Sequence, residues 1–215
     1  MTDDVGRRSL AAVLGQQCVL PLVEVDDAAS AIAVAQVLVD GGLAVMEIAL
    51  RTPSALPAIE AVRASVPDAV VGVGTVMVPA QLSDALSAGA AFAVSPGSSN
   101  ALLSTDCGVP FVPGVATVTE LMRVVASGVR EVKFFPAEGS GGVATLSSLA
   151  AVAPSVRFLP TGGIDADRAT GYLALEHVFA VGGSWVCPPG LIRDGSWGLI
   201  AERARSASRL TSARP

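Results

Sequence analysis

Short apolar runs rich in β-branched residues recur along the chain, each followed by a longer stretch whose apolar positions fall at helical spacing. The runs are CVLPLVEV (18–25), LAVMEIAL (43–50), AVVGVGTV (69–76), AFAVSP (91–96), PFVPGV (110–115), EVKFFP (131–136), RFLPTGG (157–163) and HVFAVGG (177–183). Helices are expected between them near 27–40, 53–65, 79–88, 98–105, 117–127, 142–152 and 165–174, and then over 196–208. Asp26 and Asp27 before the first, Thr52-Pro53 before the second and Thr117 before the fifth read as helix starts. Gly41-Gly42, Pro67, Gly89 and Gly128 read as stops. Strands that are apolar throughout and alternate with helices imply a parallel sheet covered by helices. Eight such units predict an α/β fold of the (β/α)8 TIM-barrel type, with a helix over 6–15 ahead of the first strand. A doubly wound open sheet is the weaker choice, because no G-x-G-x-x-G follows the first run. With no linker or low-complexity tract, residues 1–215 read as a single domain.

Composition adjusts this picture in a few places. Hydrophobic residues make up 51% of the chain but aromatic ones only 4%, so the core must be built mainly of Val, Leu, Ile and Ala. A net charge of −5 without a basic stripe argues against nucleic-acid binding. Asp26, Asp27, Asp40 and Arg51 interrupt the apolar segments, so no membrane span is expected. The N-terminus MTDDVGRRSLAAVLGQQ does not resemble a signal peptide, and a cytoplasmic protein is expected. Cys18, Cys107 and Cys187 are far apart, lack metal-ligand spacing and read as buried reduced thiols.

In a barrel the chemistry sits at the C-terminal ends of the strands, so the polar residues there are the candidates. The second run contributes Glu47 and Arg51, which with position 49 would share one side of a strand. Thr75 ends the third run, Ser95-Pro96-Gly97 the fourth, Lys133 lies in the sixth, Thr161-Gly162-Gly163 ends the seventh and Gly182-Gly183-Ser184 the eighth. Each has a plainer reading. Glu47 and Arg51 could form a structural salt bridge, Lys133 could extend its stem to a rim, and the glycine pairs could be turns. Their joint placement at strand ends favours the functional one.

Lys133 is the only lysine in the chain, yet it sits among Val132, Phe134, Phe135 and Pro136. An arginine-rich bias removes surface lysines, so the survivor marks a task that a guanidinium cannot perform. An amine withdrawn from water favours its neutral, nucleophilic form and can condense with a ketone to a Schiff base. Glu47 is the best proton shuttle, and Arg51 could clamp a substrate carboxylate. The glycine pairs after the last two strands, with Ser184, could cradle a phosphate through backbone N–H groups. Together these residues suggest an aldolase acting on a phosphorylated keto acid.

The stretches MEIALRT, VGVGTV, AVSPG, VPGVAT, EVKFFPAEGSGG, FLPTGGI and VGGSW, spread in order over residues 18–187, resemble the 2-keto-3-deoxy-6-phosphogluconate aldolases, several of which also cleave 4-hydroxy-2-oxoglutarate. The resemblance implies a class I aldolase in which Lys133 forms the Schiff base and Glu47 moves protons. It also implies that Arg51, Thr75 and Thr161 hold the pyruvyl carboxylate and nearby oxygens, and that Pro96 and Phe135 line the pocket. Gly162, Gly163, Gly182, Gly183 and Ser184 would bind the phosphate. A homotrimer that uses neither metal nor cofactor is implied as well. Where some members carry a basic residue before the first strand, this chain has Gln16, Gln17 and Cys18. Three alternatives remain open at this stage: the galactonate epimer of the substrate, a metal-dependent sugar-phosphate epimerase, and a non-catalytic phosphosugar-binding barrel. His177, the only histidine, falls at the start of the eighth run, the wrong end for catalysis.

Overall fold

The structure, a computed structural model, describes residues 9–211. The chain opens with α1 (Leu10–Leu14), β1 (Val19–Val23), α2 (Ala28–Asp40), β2 (Val45–Ala49), α3 (Ala55–Ser65), β3 (Val70–Gly74) and α4 (Pro79–Ser87). It continues through β4 (Ala93–Val94), α5 (Asn100–Leu103), β5 (Phe111–Val112), β6 (Gly114–Val115), α6 (Val118–Ala126) and β7 (Glu131–Phe134). It ends with α7 (Gly142–Val152), β8 (Arg157–Pro160), α8 (Ala166–Leu173), β9 (Val181–Gly183), α9 (Pro189–Arg193) and α10 (Trp197–Ala207). All strand pairings are parallel, in one sheet ordered β5-β4-β3-β2-β1-β9 and another ordered β6-β7-β8. This is an α/β architecture built on a curled parallel sheet.

The run expected as one strand over 110–115 is two pieces, because Pro113 has no N–H to continue the ladder. Its carbonyl still accepts from Lys133 N at 2.9 Å, so the same segment serves both sheets. At the other seam, isolated parallel bridges join Phe158 to Val178 and Thr161 to Gly182.

β1 and β2 are buried at every position, so both faces of these strands need partners. Alternate residues divide the work. Val23, Met46, Ile48, Val71, Val73, Val132 and Phe134 pack with the helices in the larger core cluster. Leu20, Val45, Phe92, Val94, Val112 and Leu159 point the other way and form a second cluster with Leu10, Ala11 and Leu14 of α1. That short helix therefore covers the N-terminal side of the sheet's inner face. Glu131 fastens it, accepting from the Ser9 hydroxyl at 2.5 Å and from Leu10 N at 2.7 Å. The Gln17 side chain imitates a strand, donating to the carbonyls of Val19 and Val45 and accepting from Val45 N. Of the helix expected over 6–15, residues 6–8 lie outside the described residues.

Helix starts follow the side chains that can satisfy free N–H groups. Asp27 caps α2 and Asp165 caps α8, while Thr117 and Glu120 form a reciprocal capping box on α6. Thr52 does not cap α3. Its hydroxyl donates instead to Val25 O at 2.6 Å, and the helix begins at Ala55. The helix expected over 98–105 shrinks to α5, because Ser99 caps Leu102 N and Ser104 already closes the far end. Of the cysteines, all free, Cys18 and Cys187 are buried but Cys107 only half-buried. Burial pushes the Cys187 thiol up to about 12. Among the described residues no helix is long and apolar enough to cross a membrane.

Gly72 shows how tightly the inner face is filled. A Cβ added there would lie 2.2 Å from the Phe92 ring. Gly72→Ala is expected to cost about 1–3 kcal/mol by overpacking, and Gly72→Ala combined with Phe92→Leu to cost less than Gly72→Ala alone. Urea denaturation of the variants checks both expectations.

Candidate active site

The inner face changes character toward the C-terminal ends of the strands. On β2, Val45 is followed two residues later by Glu47, and on β7 Glu131 is followed by Lys133. Glu47 is 1% exposed and Lys133 3% exposed, and Lys133 Nζ lies 3.4 Å from Glu47 Oε1. Removing one partner of such a buried pair leaves a stranded polar group, so each side chain constrains the other. The lysine nitrogen also lies 5.4 Å from the Phe135 ring centroid, within cation–π range.

Glycines make the room. A Cβ on Gly74 would fall 1.8 Å from Glu47 Oε1, so the carboxylate occupies the space that a side chain on β3 would fill. Gly114, in register with Lys133, has no space for a Cβ either, since one would lie 2.2 Å from the Pro96 carbonyl. Pro96 thus sits one strand away from the lysine. Thr75, next after Gly74, has φ +63°, a left-handed conformation that strains a β-branched residue. The strain falls one residue beyond Gly74, which faces the Glu47 carboxylate.

Thr161 is 4% exposed and directly follows β8. It bridges to Gly182, where a Cβ would be 2.4 Å from Thr161 Oγ1. Gly182 and Gly183, expected at the end of the eighth run, belong to β9, and Ser184 is exposed just beyond them. Gly162 and Gly163 have φ of +103° and +78°, which glycine adopts without penalty. A Cβ on Gly162 would lie 3.2 Å from the Phe135 ring, so the two turns are packed together. Among the described residues, no protein acceptor takes the N–H groups of Gly162, Gly163 or Ser184.

Arg51 departs from the sequence expectation. β2 ends at Ala49 and the chain turns, so position 51 no longer continues the strand's alternation. Arg51 pairs with Glu24 at 3.3 Å, the two side chains 44% and 28% exposed, and not with Glu47. An exposed pair of this kind contributes about 0–1 kcal/mol and opens easily. Glu24 was not anticipated because it is a non-local partner that only the β1–β2 pairing brings close. Gly74 was legible as part of V-G-V-G, but its purpose depends on which residue faces it. His177 is half-buried ahead of β9, where its carbonyl accepts from Phe158 N.

The structure therefore gathers Glu47, Lys133, Phe135, Pro96, Thr75 and Thr161 at one end of the sheet, beside the glycine turns. Known proteins resemble the chain in sequence and fold. The family profile described as KDPG and KHG aldolase matches residues 10–202. The KHG/KDPG aldolase of Escherichia coli (strain K12) is 42% identical over 203 residues, covering 94% of this chain and 95% of its own. The 2-keto-3-deoxy-6-phosphogluconate aldolase structure from Zymomonas mobilis superposes with a TM-score of 0.91 at 40% identity, covering 97% of this chain and 100% of that one. A KDPG aldolase from Legionella pneumophila, solved with pyruvate captured at low pH as a covalent carbinolamine intermediate, gives 0.89 at 39% identity and covers 94% and 98% of the two chains. The chain belongs to the KDPG and KHG aldolase family.

Proposed function

We propose that the protein is a class I aldolase that cleaves 2-keto-3-deoxy-6-phosphogluconate to pyruvate and glyceraldehyde 3-phosphate, and that it also accepts 4-hydroxy-2-oxoglutarate. One observation carries the reading. A buried lysine nitrogen lies 3.4 Å from a buried carboxylate, at the open end of the inner face. The carbinolamine captured in the Legionella relative supports covalent chemistry of this kind.

In the proposed sequence, the unprotonated Lys133 nitrogen adds to the C-2 ketone. The carbinolamine loses water to give a protonated imine, which serves as the electron sink. Glu47, directly or through a water, takes the proton of the C-4 hydroxyl. The bond between C-3 and C-4 breaks, its electrons pass to the imine, and the aldehyde leaves. Glu47 returns a proton to C-3 of the enamine, and hydrolysis releases pyruvate and the free amine. Arg51 exchanges Glu24 for the substrate carboxylate, with Thr75 and Thr161 on nearby oxygens. Pro96 and Phe135 line the pocket, and the N–H groups around Gly162, Gly163, Gly182, Gly183 and Ser184 receive the phosphate.

The same reading takes the curled sheet as a closed (β/α)8 TIM barrel, supported by the two β-bridges between the β8 and β9 segments. Pairing of β9 with β1 joins the chain's ends and supports a single domain. We take the protein to act in the cytoplasm and as a homotrimer. Exposed apolar side chains support association: Met77 borders a cleft with Glu120 and Arg123 of α6, whose Val118 and Met122 are 48% and 67% exposed. Sedimentation is expected to show three chains per particle, and Met122→Glu to shift the protein toward smaller species.

Borohydride with pyruvate is expected to fix one pyruvyl group per chain, at Lys133, and none in Lys133→Ala. Intact-mass spectrometry reads this, and an unmodified wild type would end the aldolase reading. Glu47→Gln is expected to lower kcat by about 10²–10⁴-fold. Gly74→Ala, which forces the Glu47 carboxylate aside, is expected to lower kcat in the same direction although neither Glu47 nor Lys133 is replaced.

A further inference from the structure

The turn after β7 holds a carboxylate with no part in the chemistry above. Glu138 reaches both the turn after β8 and helix α8. Its backbone N–H donates to Gly162 O at 3.1 Å, next to a bond from Ala137 N to Thr161 O at 2.8 Å. Its stem lies against Gly163, where a Cβ would meet Glu138 Cβ at 2.8 Å and Cγ at 2.9 Å. Its carboxylate accepts from the Tyr172 hydroxyl at 2.5 Å and pairs with Arg168 Nε at 3.2 Å, both on α8. Arg168 is held in turn by Asp165. Tyr172 is 1% exposed, and burial, then the adjacent carboxylate, push its hydroxyl upward, so it remains a donor.

Peptide geometry gives these contacts a consequence. In a planar trans peptide the C=O and the following N–H point in opposite directions. Fixing Thr161 O therefore fixes the direction of the Gly162 N–H, and fixing Gly162 O fixes that of the Gly163 N–H. Glycine at φ +103° and +78° has no side chain of its own to hold the turn in place. The restraint comes from outside: the Ala137 and Glu138 N–H groups hold the two carbonyls, and the Glu138 side chain, anchored on α8 and pressed on Gly163, keeps that segment seated against the turn.

We propose that Glu138 is a positioning residue for the phosphate cradle: tied to Tyr172 and Arg168, it sets the direction of the Gly162 and Gly163 N–H groups that receive the substrate phosphate. This rests on the aldolase reading, so the test separates the two. Cleavage of the phosphorylated keto acid reports on the cradle, whereas pyruvate-dependent borohydride trapping reports on Lys133 and needs no phosphate. Glu138→Ala is expected to raise KM for the phosphorylated substrate about tenfold with kcat within about twofold, and to leave the half-saturating pyruvate concentration for trapping unchanged. Glu138→Gln, which keeps an acceptor for Tyr172, is expected to restore KM to within about threefold of wild type. KM and the pyruvate concentration rising together, or neither moving, would overturn the proposal. If Glu138→Ala loses its circular-dichroism spectrum, Tyr172→Phe takes its place, with an expected KM increase of about threefold and a wild-type KM as the contrary result. Wild-type protein that pyruvate and borohydride leave unmodified would instead overturn the underlying aldolase reading.

Discussion

A strand buried on both faces must find partners for both, and much of this structure follows from that requirement. Helices satisfy one face, through residues such as Met46, Ile48, Val73 and Phe134. The other face has only its own curl to pack against. Near the N-terminal ends of the strands the curl is filled by Leu20, Val45, Phe92 and Leu159 and covered by α1. Toward the C-terminal ends, β3, the β6 segment and β9 each present a glycine, the room left is taken by Glu47, Pro96 and Thr161, and Lys133 lies buried against Glu47. The proposed reactive groups are thus embedded in the same packing scheme as the core, and the strands' register aims them.

That embedding also explains why the pair can be so dry. Taking an amine or a carboxylate out of water is costly, and the cost is offset only when each finds the other at good geometry. Lys133 and Glu47 do so from β7 and β2, which are not neighbours in the sheet order. Their meeting depends on the curl of the sheet. A flat sheet with the same pairing order would hold them apart.

Much of the element pattern was legible because it is local. Apolar runs bounded by glycine and proline mark the strands, and Thr117 announces α6, whose first turn it caps together with Glu120. Lys133 was legible for a different reason: its apolar neighbours and its solitude conflict with an ordinary surface role. What escaped was non-local. Arg51's partner Glu24, the hydroxyl of Thr52 turned to Val25, and Glu138's grip on α8 each link segments that only the folded chain brings together. Pro113 is an intermediate case, since its missing N–H could be read but the division of its strand between two sheets could not.

The seating of α1 bears on the order of events in catalysis. With Leu10, Ala11 and Leu14 packed into one end of the inner face, access is left to the other end, past Thr75 and the glycine turns. In the proposed mechanism, substrate, leaving aldehyde and hydrolytic water then share that end in succession. A keto acid tethered to Lys133 in that mechanism lies beneath the fragment that leaves. In the proposed mechanism, a helix that touches neither Lys133 nor Glu47 thereby favours aldehyde first, water second and pyruvate last.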